Sequence, residues 1–370
     1  MKATPQNRKR AAQAKVREGA VPAKALAAGF PPIALPIRPP FPPMEARSVK
    51  EIPSAQGWQY EPKWDGFRCL AFKSGRKALL QSKSGQPLGR YFPELIEALL
   101  ELPVPKFVLD GEIVIEHEGR LHFDELLQRI HPAASRIRRL AQETPAKLMI
   151  FDLLVDGAGK SLLLQPLVER RRRLEEFYRK FARSTAIELS PATTNLSQLE
   201  RWLPRLVARG CDGVVAKLAD SAYRSGERSA MLKIKRLRTA DCVVGGFRYG
   251  SKGHHVGSLL LGLYNSAGKL DHVGFTASFR AEQRTELKKI VEPLRGGTGF
   301  TGGAPGGPSR WASERSAEWV PLKPELVCEV QYDHFSGGRF RHGTKFLRWR
   351  PDKAPRQCTF QQLEPSAKAA

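Results

Sequence analysis

Phe107-Val108-Leu109-Asp110-Gly111-Glu112-Ile113-Val114-Ile115 is an apolar run broken by two acids and the glycine between them. A run that apolar suits a strand covered on both faces. Side chains alternate along a strand, so Asp110 and Glu112 share a face. Carboxylates in a covered strand are costly unless they meet a cation, a metal or ligand hydroxyls. The bland alternative is a β-bulge at Gly111 that leaves both acids exposed. If the acids point inward, the chain must build a sheet around a charged site.

Cations to meet them lie upstream. Glu61-Pro62 is followed by Lys63-Trp64-Asp65-Gly66-Phe67-Arg68, a lysine, a carboxylate two positions on, a glycine and an arginine. Alone this reads as a turn at Asp65-Gly66 between two strands with solvated charges. A lysine amine becomes a good nucleophile at neutral pH only where burial or a neighbouring cation favours its neutral form. Downstream, Leu148–Asp152 ends a strand with Phe151 beside Asp152, and Phe151 alone would be ordinary core. Asp212–Lys217 sets an acid and a lysine at the ends of a short strand, and Leu232-Lys233-Ile234-Lys235 puts two lysines on one strand face. Adjacent ammonium groups repel unless an anion lies between them, and a triphosphate is such an anion.

With 370 residues the chain is expected to hold two domains and a tail. Residues 1–36 read as a disordered basic arm and proline-rich linker, the first 30 carrying seven Lys/Arg against Glu18. The proline-rich stretch is expected to drape over the first domain. Residues 37–237 alternate short strands with helices, which predicts an α+β domain. Helices are expected at 93–102, 123–130, 168–181 and 196–209, the last closed by Gly210. The Arg170–Arg173 run beside Glu169, Glu175 and Glu176 reads as a solvated helix face, with a DNA contact second. Residues 238–364 are β-rich, with one helix at 281–290. Five short strands there suggest an all-β barrel of the oligonucleotide-binding (OB) kind. Gly296–Pro308 reads as a loop.

Net charge is +24. That implies a polyanionic partner, most simply nucleic acid. No apolar run is long enough for a membrane span and no signal peptide is visible, so no membrane partner is expected. Five scattered cysteines without C-x-x-C argue against a disulfide scaffold and against a structural zinc site, and for a reducing compartment. The expected location is cytoplasmic, on the nucleoid.

Taken in order, Lys63–Arg68, Asp110–Glu112, Phe151–Asp152, Asp212–Lys217 and Lys233–Lys235 resemble the motifs of covalent nucleotidyltransferases: DNA ligases, RNA ligases and capping enzymes. Phe340–Lys353, with its Arg350-Pro351-Asp352-Lys353 ending, looks like the C-terminal motif of the ligases. Together with Gln81–Pro93 it most resembles bacterial ATP-dependent DNA ligases of the ligase C type, close to the ligase module of ligase D. The resemblance covers about residues 40–362 and implies an adenylation domain followed by an OB domain. It implies ATP as cosubstrate, Mg2+ (or Mn2+) as metal, and nicked double-stranded DNA as substrate. The enzyme would be a DNA-repair ligase acting as a monomer, with a repair polymerase or end-binding protein as candidate partners.

By that resemblance Lys63 is the nucleophile, with Asp65, Lys233 and Lys235 assisting catalysis. Glu61, Arg68, Glu112, Phe151, Lys217, Lys233, Lys235, Arg350 and Lys353 would bind the nucleotide. Glu61 would read the adenine edge, Phe151 would stack on the base, and Arg68 with Glu112 would hold the ribose. Arg350 and Lys353 would steer the pyrophosphate. Asp212 and Glu112 would bind metal, and Lys83 and Arg90 would contact DNA. Asp212 stands where many relatives carry Glu, and Lys83 where arginine is common. Two other readings compete: an RNA ligase or other nucleotidyltransferase acting on RNA ends, and a non-enzymatic basic OB-fold DNA-binding protein.

Overall fold

A computed structural model of the chain describes residues 29–181, 186–235, 237–250, 255–279, 281–306 and 318–363. The first unit contains two sheets. One has the strand order β4 (Lys77–Ser82), β3 (Phe67–Ser74), β5 (Lys106–His117), β7 (Ala146–Val155), β8 (Ile187–Leu189), with β6 (Arg120–Leu121) paired to the end of β5. The other runs β1 (Arg47–Val49), β10 (Met231–Lys235), β9 (Gly213–Leu218), β2 (Trp58–Lys63). The acid-bearing segment is thus the middle strand of its sheet, as its apolar residues require. Helices α1 (Pro93–Glu101), α2 (Phe123–Gln128), α3 (Ala134–Glu143) and α4 (Leu167–Phe181) belong to the first sheet's side of the unit, and Leu95, Leu99, Leu174 and Phe177 share a core with Ala71, Leu109 and Ile150. Helix α5 (Leu196–Arg209) packs Leu199 against Val214 and Leu232 of the second sheet. Asn195 caps it by accepting from the Gln198 amide at 3.0 Å, and Gly210, at φ 98°, ends it.

β2 and β3 are not a hairpin. β2 ends in the second sheet at Lys63, and β3 begins in the first sheet at Phe67. The turn expected at Asp65-Gly66 exists, but it carries the chain from one sheet to the other. Glycine is required at 66, because a Cβ there would lie 2.1 Å from the Ile113 carbonyl oxygen.

β7 departs from regular alternation. Opposite β5, Asp110 pairs with Asp152 and Gly111 with Ile150, so Phe151 is an extra residue in β7. The alternative of a bulge at Gly111 with exposed acids does not hold: the extra residue lies on β7, β5 pairs regularly with β3 through Gly111, and Asp110 is buried and Glu112 half-buried. The bulge also inverts the phase of β7. Ala146, Leu148 and Ile150 enter the helix-side core before it, and Leu153 does so after it.

The proline-rich segment is more than a linker. Ile33, Leu35 and Ile37 are buried in a cluster with Leu70, Phe72, Val108 and Leu154 of the first unit. The basic arm before residue 29 lies outside the described residues. The Arg170–Arg173 reading needs correction as well. Arg172 and Arg173 do pair with Glu169 on the helix surface. Arg170 instead turns inward to a two-pronged pair with Asp152, both side chains 2% exposed.

The second unit starts with β11 (Arg238–Tyr249) and continues through β12 (Val256–Tyr264), β13 (Leu270–Thr276), helix α6 (Ala281–Val291), β14 (Val320–Pro321), β15 (Val327–Tyr332), the small hairpin β16 (Phe335–Ser336) and β17 (Arg339–Phe340), and β18 (Lys345–Trp349). The strand order is β13-β12-β11-β15-β18, with β14 on β11. The ladder is not closed, but a bridge between Thr276 and Thr344 joins its two edges, each threonine hydroxyl donating to a backbone carbonyl across it. All five cysteines are buried and free, and burial pushes their thiols up, Cys211 and Cys358 to about 12. Among the described residues no helix is long and apolar enough to cross a membrane.

Candidate active site

The sheet-to-sheet crossing opens a pocket, and eight of the residues singled out in the sequence line it: Glu61, Lys63, Arg68, Lys83, Glu112, Phe151, Lys217 and Lys233. Met44, Glu45 and Ala46 close one side of it. Strand pairing brings these together. Lys63 is opposite Gly213, Arg68 opposite Glu112, and Lys233 opposite Val215.

Lys63 is tied to Asp212 twice. The Asp212 amide donates to the Lys63 carbonyl at 2.9 Å, and the Lys63 ammonium donates to Asp212 Oδ2 at 2.6 Å. Burial works against the Asp212 charge, but His334 and Lys63 outweigh it and hold the carboxyl well below its usual range. Asp65 moves the other way: burial and the nearby Asp212 charge raise it, against the opposing pull of Arg341 and His334.

Arg68 does not reach for Glu112. It grips Asp110 with two nitrogens at 2.6 Å each and donates to the Met44 carbonyl at 3.3 Å. Tyr223 donates its hydroxyl to the same Asp110 at 2.7 Å and accepts from the Met44 amide. The guanidinium then lies 4.6 Å from the Phe151 ring centre, and the Lys217 ammonium lies 4.2 Å from it. The bulge in β7 is what aims Phe151 at this pocket. Glu61 is buried with both oxygens engaged, one by Gln59 and one by Lys217, each at 2.8 Å. Glu112 is left as the acid without a side-chain hydrogen bond or ion pair among the described residues. Burial pushes it up to about 7, against the pull of Arg68 and Lys63.

The paired lysines part company. Lys233 faces the pocket, and burial together with Lys83, Lys235, Lys63 and Arg228 lowers it. A cation destabilised by burial and neighbouring cations is a ready phosphate ligand. Lys235 instead donates to Asp333 of the second unit at 2.6 Å. That contact belongs to a docking hairpin the sequence reading missed. Its His334 Nδ1 lies 3.7 Å from Asp65 and 3.6 Å from Asp212, and its Arg341 donates to both oxygens of Asp65. Arg341 also rests 3.1 Å from the Phe123 ring centre. The available signal was the density of cations around Arg341, which sequence reasoning assigned further along.

Of the residues expected at the nucleotide, Lys235, Arg350 and Lys353 do not line the pocket. Arg350 and Lys353 pair with Asp241 at 2.8 and 3.2 Å inside the second unit, because β18 runs beside β15 and away from the crossing. Arg90 is exposed and donates to the Pro132 carbonyl. Lys83 lies on the pocket rim but is largely exposed, paired to Glu45 at 3.1 Å.

Mg2+ seeks oxygen ligands. Asp65, Asp212 and His334 gather closely enough to hold an ion, but Arg341 and Lys63 already neutralise the two carboxylates. Glu112, unpaired and facing the pocket, fits such an ion best.

A nucleotidyltransferase unit followed by an open OB-type unit, with a lysine at the pocket between its sheets, defines the class. The same fold is seen in a solved Lig E DNA ligase structure, with a TM-score of 0.52 at 17% identity over 83% of this chain and all of that one. The family model for the ATP dependent DNA ligase domain matches residues 43–235, and that for the ATP dependent DNA ligase C terminal region matches 252–353. The chain belongs to the ATP-dependent DNA ligases. Among curated proteins it is similar to DNA ligase C1 of Mycolicibacterium smegmatis, 46% identical over 89% of this chain and 95% of that one. It is also similar to DNA ligase C of Mycobacterium tuberculosis, 42% identical over 89% of this chain and 95% of that one.

Proposed function

We propose that this ATP-dependent DNA ligase seals 5′-phosphate/3′-hydroxyl nicks in duplex DNA through a lysyl-AMP formed on Lys63, as a monomeric repair enzyme of the nucleoid. The observation that carries the reading is the placement of Lys63 at the sheet crossing, inside the pocket that Arg68, Phe151, Lys217 and Lys233 also line. The amine would attack the α-phosphate of ATP, a new P–N bond replacing the P–O bond to pyrophosphate. The 5′-phosphate of the nick would then take the AMP from Lys63, and the 3′-hydroxyl would displace it.

The chain's own groups have definable parts in this. Asp212 orients the Lys63 ammonium at 2.6 Å, and that bond must open before the amine attacks. Lys233 would take the α-phosphate as a point charge. Phe151 supplies a flat face for the base. Arg68 would contact the ribose only with its exposed edge, since Asp110 fixes its orientation. Glu61 would read adenine through its backbone or by exchanging one of its two present partners. Glu112 would hold Mg2+, which offsets triphosphate charge.

Incubation with α-labelled ATP and Mg2+ tests the reading. A labelled protein is expected, with the label mapping to Lys63 and absent from Lys63→Ala. Label on another residue overturns the assignment. Competition between nicked DNA and nicked RNA duplexes, with DNA sealed preferentially, separates DNA ligase from RNA-end chemistry.

A further inference from the structure

At the mouth of the pocket a single carboxylate stands where the two sheets come together. Lys83 follows the end of β4 in the first sheet, and Arg228 lies just before β10 in the second. Glu45 spans them. Its Oε2 receives the Lys83 ammonium at 3.1 Å and two nitrogens of Arg228, Nε at 3.1 Å and Nη2 at 2.8 Å. Lys83 and then Arg228 hold this carboxyl below the ordinary carboxylate range, so it carries its charge. Lys233 is the next cation inward. It faces the pocket with Glu45 and Lys83, and the charges of Lys83 and Arg228 are among those that lower it.

The backbone beneath Glu45 is fastened to the backbone that carries Arg228. The Glu45 amide donates to the Glu227 carbonyl at 2.8 Å, the Gly226 amide to the Pro43 carbonyl at 3.3 Å, and the Ser225 hydroxyl to the Pro42 carbonyl at 2.6 Å. The main chain thus keeps acid and arginine side by side without help from the ion pair. The side chains themselves are free to part: Glu45 is 25% exposed, Lys83 56% and Arg228 65%. An ion pair this exposed adds little to stability. What Glu45 does is neutralise two cations that adjoin the pocket of an ATP-dependent ligase.

We propose that Glu45 is an internal stand-in for a substrate phosphate, occupying the seat between Lys83 and Arg228 until a terminal phosphate displaces it. Several charged donors converging on one oxygen is how cations meet a phosphoryl group. A terminal phosphate carries a charge of about −1.5 to −2 at pH 7 and three acceptor oxygens, so it outcompetes a singly charged carboxylate for the same donors. The displaced Glu45 side chain turns outward into solvent while its backbone stays fastened. Two substrate groups offer such a phosphate: the γ-phosphate of ATP and the 5′-phosphate of a nick. The inference rests on the lysyl-AMP reading of this pocket, which α-labelling of Lys63 tests separately.

The test compares Glu45→Gln with Glu227→Gln in the full-length protein. Glu227 is the neighbour of Arg228 but pairs with Arg224 and Ser229, so its replacement removes the same charge without opening the seat. Glu45→Gln should lower the KM for ATP in self-adenylation about two- to fivefold, or tighten binding of a 5′-phosphate nick in EDTA by that factor with a 5′-hydroxyl nick unchanged. The first result assigns the seat to the nucleotide and the second to the nick. Adding Arg228→Gln to Glu45→Gln should cancel the gain. Weaker binding in both arms would make Glu45 a support for the two cations and overturn the proposal. An equal gain in Glu227→Gln, or on the 5′-hydroxyl nick, would reduce it to a general effect of charge and overturn it too. Label on Lys63 together with no effect of Glu45→Gln would sink this inference and leave the lysyl-AMP reading standing.

Discussion

Arg341 of the second unit holds Asp65 of the first through a single guanidinium nitrogen, 2.8 and 2.7 Å from the two carboxylate oxygens. Asp65 lies two residues beyond Lys63, so this contact couples domain docking to the nucleophile's own turn. In the same arrangement Arg350 and Lys353 are held by Asp241. If those two residues act at the pocket during adenylation, the docked form described here serves the other steps. A charge-assisted contact of this kind contributes about 1.5–3 kcal/mol, or roughly 10–100-fold in a rate that depends on it. Arg341→Ala should slow sealing of a pre-adenylated nick by that factor and leave lysyl-AMP formation within about threefold of wild type. Single-turnover assays of the two steps decide it, and an equal loss in both would show that docking serves adenylation as well.

Arg350 and Lys353 give the converse expectation. If they steer pyrophosphate, the second unit must turn so that β18 faces the pocket, and the Asp241 contacts must open. Interactions made only in the first step affect that step alone. Arg350→Ala or Lys353→Ala should impair lysyl-AMP formation severely while sparing the sealing of a pre-adenylated nick. Equal loss in both assays would make this segment a phosphate-binding patch.

Glu112, pushed up to about 7, gives a pH signature. Below that value a proton occupies the carboxyl and competes with Mg2+, so the metal dependence of self-adenylation should ease as pH rises through about 7. Stability runs the opposite way. The folded state keeps the proton that the unfolded state has lost, so stability falls as pH climbs from about 4.5 to about 7. Glu112→Gln should remove the rising limb of the rate profile. It should also stabilise the protein at pH 8 by about 1–2 kcal/mol, discounted for the group's partial exposure. Denaturant titrations at pH 5 and pH 8 check the sign: a variant stabilised equally at both would refute it.

Asp110 sits with Arg68 in a pair whose carboxylate is fully buried. Asp110→Asn keeps the shape but leaves the guanidinium without its countercharge. Removing one partner of such a pair costs about 3–5 kcal/mol. Tyr223→Phe, which deletes the hydrogen bond to the same carboxylate and leaves the buried Met44 amide without its acceptor, should cost about 1–3 kcal/mol. Chemical denaturation should reproduce that order, and a smaller loss for Asp110→Asn than for Tyr223→Phe would refute it.

Much of this was legible because period and charge agree. The apolar run with two acids fixed β5 as a central strand, and the Leu196–Arg209 stripe with Gly210 fixed α5. Pocket residues Lys63, Arg68, Glu112, Lys217 and Lys233 stood out as charges in or beside apolar runs, whereas Phe151 was singled out only through the resemblance to ligase motifs. What stayed hidden was pairing across long chain separations. Nothing near Arg68 in sequence shows that Asp110 and Tyr223 will hold it, and nothing near Asp65 indicates Arg341. Arg170 looked solvated because its neighbours in the arginine run are, and only the position of α4 against β7 turns it inward to Asp152. Likewise the side chains of Ile33 and Leu35, set among prolines, gave no sign of the core they enter.

The extra residues at Phe151 and Leu154 divide β7 into three frames of reference. A scan of every position in that strand should show a rhythm of tolerance to polar replacement that shifts at each of these two residues. Deleting Phe151 would remove the aromatic face yet leave Asp152 opposite Asp110 and Leu153 in the helix-side core, because the lost residue is the one that β5 leaves unpaired. The flat face of the pocket is thus an insertion that the strand could shed without exchanging the faces of its neighbours.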